Sequence, residues 1–203
     1  MASSSTATSA SVLGKLDPSK SAMLTLDFQS GIISRFPNAE PAVAMAAKAV
    51  AFARQHKFLL IHVGLGFSPS YAEIPKDPAN PFHKAMMSNL FIKVSPSAAF
   101  HPSICQAEDI VVYKQRFGAF SENELNLILR SRGIQNLVFF GFSTSGITLT
   151  TIRQAFDLDY KCVVLKDCCM DSKEEVHRIL IDVVFPSQAT VLDTDAFISS
   201  QTS

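Results

Sequence analysis

The chain is expected to fold as an α/β protein, a three-layer αβα sandwich around a mostly parallel central sheet. Short, continuously apolar runs such as SAMLTLDF, FLLIHVGLGF and NLVFFG alternate with segments of helical periodicity. Strands that are apolar on both faces belong to a parallel sheet covered on both sides. A length of 203 residues with 47% hydrophobic content suits one well-cored domain.

Taken in order, residues 1–18, rich in serine, alanine and threonine, are expected to be a flexible N-terminal tail and 19–203 a single domain. The first strand is expected over 22–27. An alanine-rich helix, PAVAMAAKAVAFARQH, follows Asn38, Glu40 and Pro41, residue types suited to a helix start. FLLIHVGLGF is the second strand. The prolines and mixed polarity of 68–102 predict a long irregular excursion with one short helix; excursions of that length are usually functional, often lids. Tyr71, Phe82 and Phe91 are its candidate lid aromatics, with core packing the plainer assignment. DIVVYK is the third strand. SENELNLILRSRG is an amphipathic helix with Ser121 as N-cap and Gly133 near its C-cap. NLVFFG is the fourth strand and runs into GFSTSGITLTTIRQAF, a loop entering a helix. KCVVLKD, a helix opening at Ser172, and ATVLDT complete the alternation.

Eighteen basic and eighteen acidic residues balance, so net charge gives no reason to expect nucleic acid or an anionic membrane as partner. No run reaches the roughly 18 apolar residues of a membrane span. The first twenty residues lack the charged and apolar regions of a signal peptide. A reduced, cytoplasmic setting is therefore expected, with leaderless export the alternative. The four cysteines, Cys105, Cys162, Cys168 and Cys169, form no C-x-x-C pair, so no zinc site and no cofactor are expected. Cys168 and Cys169 read as buried thiols and His62, inside an apolar strand, as a core residue.

In an open parallel sheet, ligands bind beyond the carboxyl ends of the strands. Asp27 ends strand one, Lys114 ends strand three with Arg116 just beyond, the 143–145 loop follows strand four, and Asp167 ends strand five. Each has a plain structural reading: Asp27 as a turn residue, Lys114 as a solvated charge, Arg116 as partner to a helix carboxylate. Their convergence on one sheet edge points to a site.

The order LTLDFQ, VVYKQRFGAF, GFSTSGITLTTIRQAFDLDY resembles the isochorismatase-like hydrolase superfamily, which includes nicotinamidases, carbamoylsarcosine amidohydrolases and isochorismatases. KQRFGAF is particularly similar to isochorismatases. The resemblance implies Asp27 as catalytic acid and Lys114 as the group holding substrate or acid in place. Arg116 would take a substrate carboxylate, with Phe117, Ser143, Thr144 and Ile147 lining the substrate. It also implies backbone N–H groups around Ser143 and Ile147 polarising an oxygen, a cis peptide at Phe142–Ser143, and a homodimer or homotetramer. Family amidases carry a cysteine where this chain has Ile147, and the metal-binding pattern of nicotinamidases is not reproduced in IHVGLGFSPS. The implied chemistry is that of a thiol-independent hydrolase acting on a small anionic molecule, a carboxylate, by protonating it from Asp27, as in vinyl-ether hydrolysis of the isochorismate type. The alternative is a catalytically silent member that binds a small molecule or serves as a scaffold.

Overall fold

The structure, a computed structural model, describes residues 13–202. Its strands are β1 (Ser21–Leu26), β2 (Leu59–Leu65), β3 (Ile110–Lys114), β4 (Asn136–Gly141), β5 (Lys161–Leu165) and β6 (Thr190–Leu192). The helices are α1 (Ser30–Ile33), α2 (Glu40–Gln55), α3 (His83–Met87), α4 (Leu125–Ser131), α5 (Leu149–Asp157), α6 (Glu174–Ile179) and α7 (Thr194–Thr202). All strand pairings are parallel, in the order β3-β2-β1-β4-β5-β6. The expected αβα architecture is therefore the observed one.

The chain steps outward from β1 to β3 in one direction and from β4 to β6 in the other. Right-handed crossovers then put α2 on one face and α5 and α6 on the opposite face. On the α2 face, Phe52 meets Phe197 of α7 edge-on at 5.7 Å. All residues of β1 and β4 are buried, as expected for central strands covered on both sides. The reversal of strand order falls between β1 and β4, where such folds open a crevice. Leu26 pairs with Gly141 there. The approach is so close that a Cβ on Gly141 would lie 2.2 Å from the Leu26 carbonyl oxygen, so only glycine fits.

Three local expectations are corrected. The Ser121 helix begins later, at Leu125, whose N–H is accepted by Asn123 Oδ1 at 3.0 Å; the Ser121 hydroxyl instead accepts from Gln154 Nε2. The asparagine wins because it sits two residues before Leu125, within reach of the orphan donor. Gly133 does lie past the helix end, at φ 65°. The helix expected from Ser172 starts at Glu174, since the Ser172 hydroxyl turns to Asp171, and it continues as a π-helical turn over Leu180–Val184. The excursion over 68–102 is irregular apart from α3 and one 3₁₀ turn, Pro96–Ala98. Tyr71, Phe82 and Phe91 are all buried in it, which favours core packing for each. Of the tail expected over 1–18, residues 1–12 lie outside the described residues. Leu13 and Leu16 pack on the core, and the Leu16 N–H donates to Gln201 of α7 at 2.7 Å.

Candidate active site

Asp27 is the first residue past β1. Its N–H still donates to Val63 of β2 at 2.8 Å, but its φ is 60°, a left-handed conformation that aspartate tolerates better than most non-glycine residues. That turn brings the carboxylate to Lys114, at the end of β3: Lys114 Nζ stands 3.0 Å from Asp27 Oδ2, with the side chains 1% and 8% exposed. Lys114 also donates to the Arg116 carbonyl at 3.1 Å. Asp27 Oδ1 is buried with no hydrogen-bond partner among the described residues. Burial raises the Asp27 carboxyl above its ordinary range, although Lys114 and, more weakly, Arg35 pull it back. Burial likewise lowers Lys114, against the pull of Asp27. Both shifts favour the neutral forms, as expected of ionisable groups withdrawn from water.

The pair floors a cavity of about 550 Å³, a normal size for a small-molecule site. Its walls are apolar, with Phe91, Phe142 and Ile147 among them, and Phe82 and Phe117, also in the lining, meet at 5.1 Å with their rings tilted by 42°. The lining holds three cations, Lys114, Arg35 and Lys84, of which Lys114 and Arg35 act electrostatically on the Asp27 carboxyl.

After β4 the peptide Phe142–Ser143 is cis, as expected. Residues Thr144–Thr148 form a π-helical turn into α5, a widened geometry common at functional sites. Four N–H groups of this turn are committed to the protein: Thr144 to the Met170 carbonyl, Ser145 to Asp171 Oδ2, Gly146 to Ser143 Oγ and Thr148 to the Ser143 carbonyl. Ile147 is 2% exposed and forms part of the wall, leaving the cavity open beside it.

The structure thus brings together Asp27, Lys114, Phe117, Ser143 and Ile147. Two expected substrate contacts lie elsewhere. Arg116 donates to the carbonyls of Glu73 at 3.2 Å and Gln115 at 2.7 Å, outside the cavity lining, because its long side chain finds fixed acceptors in the excursion. Thr144 is fully buried, its hydroxyl on His177 Nδ1 at 2.8 Å, so it braces the turn against α6. Asp167 also leaves the group, accepting from the Thr194 N–H and hydroxyl as the cap of α7. Arg35 and Lys84 were missed by sequence reasoning. Each is a single cation in an irregular region, and the only clue was that Arg35 shortly follows the carboxyl end of strand one.

None of the four cysteines lines this cavity. Burial pushes the Cys105 thiol up to about 11 and those of Cys162 and Cys169 up to about 12, with Cys168 raised by the same cause. Cys105, His62 and Asp109 offer ligand atoms within 4.8 Å of one another, but these groups already have partners. Arg54 donates to both Asp109 oxygens. The two His62 nitrogens face Thr25 Oγ1 at 2.7 Å and Asp109 Oδ2 at 3.0 Å. His62 is therefore an internally satisfied core residue and leaves Cys105 without a base.

The buried acid–amine pair lies at the switch point of a doubly wound sheet, where such folds bind ligands. The isochorismatase domain model matches residues 21–196, and the chain belongs to the isochorismatase family. It is 30% identical over 192 residues to the isochorismatase family protein YecD of Escherichia coli O157:H7, covering 92% of this chain and 98% of that one. It is 26% identical to the ureidoacrylate amidohydrolase RutB of Acinetobacter baylyi, over 92% and 85% of the two chains. Among solved structures, an isochorismatase family protein from Burkholderia thailandensis superposes with a TM-score of 0.81 at 25% identity, covering 94% of this chain and 99% of that one. No helix among the described residues is long and apolar enough to cross a membrane.

Proposed function

We propose that this protein is a hydrolase of a small anionic molecule in which Asp27 supplies a proton and no cysteine attacks. The observation that carries this reading is the unpartnered, buried Oδ1 of Asp27, in a carboxyl that burial biases toward its protonated form. A proton on that oxygen points at no acceptor of the protein and is available to a substrate. In a vinyl ether, Asp27 would give this proton to the terminal methylene carbon, whose π electrons form the new C–H bond. The resulting oxocarbenium ion is captured by water, and the hemiketal collapses to a ketone and an alcohol. The proton lost by the attacking water restores Asp27. Lys114 holds the carboxyl in place throughout. The cations of the lining favour an anionic substrate, and thiols that are raised and outside the lining support a route without covalent attack.

The test is incubation of the purified chain with isochorismate, following pyruvate release, beside Asp27→Asn. Turnover by the parent and none by the folded variant is expected; undiminished turnover by Asp27→Asn removes this residue from the mechanism. Ile147 favours a second reading, a binding protein, because it places inert hydrocarbon in the wall. A ligand-induced rise in melting temperature with no product from any vinyl ether or amide tried would select it.

A further inference from the structure

Two arginines are committed to acceptors of the protein. Arg54 pairs with Asp109, and Arg116 is spent on carbonyls. Arg35 is different. It lies just after α1 as an exposed residue, lines the Asp27 cavity, and its side chain has no hydrogen bond or ion pair to any described residue. Its guanidinium lies over an aromatic face: the guanidinium carbon sits 5.3 Å from the centroid of Phe91, itself 1% exposed and part of the same wall. Stacking on a buried ring restrains the flat group while leaving its N–H donors unused. Arg35 is also close enough to lower the Asp27 carboxyl electrostatically. The only other cation at the mouth, Lys84 on α3, likewise has no ion-pair partner among the described residues, but it presents a point charge without a planar fork.

We infer that Arg35 is the specificity-determining residue of this site, the receptor for a carboxylate on a small planar substrate whose reacting end reaches Asp27. The inference rests on the cavity being the substrate site, and deepens that reading. A planar, single-ring or enol carboxylate suits the lining. Its carboxylate meets the guanidinium in a bidentate pair at the mouth, and its body passes between the apolar walls formed by Phe91, Phe142 and Ile147. Arg35 is exposed at the edge of the cavity, so a neutral analogue of the same shape forgoes the charge-assisted pair and leaves the guanidinium to water. The site therefore discriminates by charge at Arg35 and not at Arg116.

Isothermal titration with benzoate and with benzyl alcohol, its neutral analogue, tests this on the intact chain without requiring turnover. The parent should bind benzoate more tightly than the alcohol by about tenfold to a hundredfold, the range expected for a charge-assisted hydrogen-bonded pair. Arg35→Gln should abolish that preference, Arg35→Lys should keep part of it, and Arg116→Gln should keep all of it. Circular dichroism confirms that each variant is folded. The assignment is overturned if Arg35→Gln keeps the preference, if Arg116→Gln loses it, or if the parent shows no preference. Repeating the titration on Asp27→Asn separates the two claims. Failure of the protonation chemistry leaves an Arg35-dependent benzoate preference standing, whereas failure of the Arg35 assignment leaves Asp27-dependent turnover standing.

Discussion

Lys114 Nζ and Asp27 Oδ2 stand 3.0 Å apart in a cavity floor from which water is nearly excluded, and the second carboxylate oxygen of Asp27 has no partner. Breaking such a pair from one side strands a buried charge, which typically costs about 3–5 kcal/mol. Lys114→Met should therefore lower the urea midpoint strongly. The double variant Asp27→Leu/Lys114→Met, which removes both charges, should recover most of that loss. Equal destabilisation by the single and double variants would show that the pair is not energetically coupled.

Catalysis by a protonated Asp27 has a definite pH sign. Burial raises its carboxyl above the ordinary 3.8, despite Lys114. The active, protonated fraction therefore persists to higher pH than in a free aspartate and declines as pH rises through the raised value. Turnover per enzyme should fall with rising pH along that limb, as read from initial rates at saturating substrate. A rate that climbs over the same interval would assign Asp27 the role of a base.

Asp109 supplies an acid-sensitive element of stability. Desolvation acts to raise its carboxyl, but hydrogen bonds from Arg54, the Gln106 N–H and His62 outweigh it and hold the value at about 2, below the ordinary 3.8. With the folded value depressed, the unfolded chain binds more protons in this window, so the stabilisation is complete above the unfolded pKa and is lost as pH falls through the folded one. A shift of this size corresponds to about 2 kcal/mol. Chemical denaturation at stepped pH should show this loss between about pH 4 and pH 2 in the parent, and Asp109→Asn should lack it.

Replacing Ile147 by cysteine places a thiol in the wall that Lys114 shares. A nearby cation lowers a thiol pKa and increases the reactive thiolate, whereas the native Cys105 is held up at about 11. Iodoacetamide should alkylate residue 147 before any native cysteine, as mapped by peptide mass spectrometry. Preferential labelling of Cys105 would show that position 147 is not open to the cavity.

Gly141→Ala tests the close approach that shapes the switch point. The added methyl would meet the Leu26 carbonyl oxygen at 2.2 Å, a backbone atom that cannot swing aside. A loss of at least about 1–3 kcal/mol is expected from overpacking. An unchanged denaturation midpoint would mean that β1 and β4 separate easily.

Local pattern was enough for the strands, for their parallel arrangement and for the meeting of Asp27 with Lys114. Continuous apolar runs and helical periodicity are properties of neighbouring residues, and strand ends in a parallel sheet share one edge. Pattern failed where a side chain had several partners within reach. Ser121 and Ser172 look like helix caps in the sequence, yet Asn123 takes the first role and Asp171 binds the Ser172 hydroxyl.

From sequence alone came the αβα sandwich with its mostly parallel sheet, the acid and amine at its carboxyl edge, and the isoleucine at 147. Tertiary structure alone decided which cation the cavity would meet. Arg116 turns to a carbonyl 43 residues away and Thr144 to a histidine 33 residues away, while Arg35 keeps its donors free beside Phe91. Backbone position follows from short-range periodicity, but the direction of a long polar side chain follows from whichever acceptors the folded chain brings within hydrogen-bonding distance.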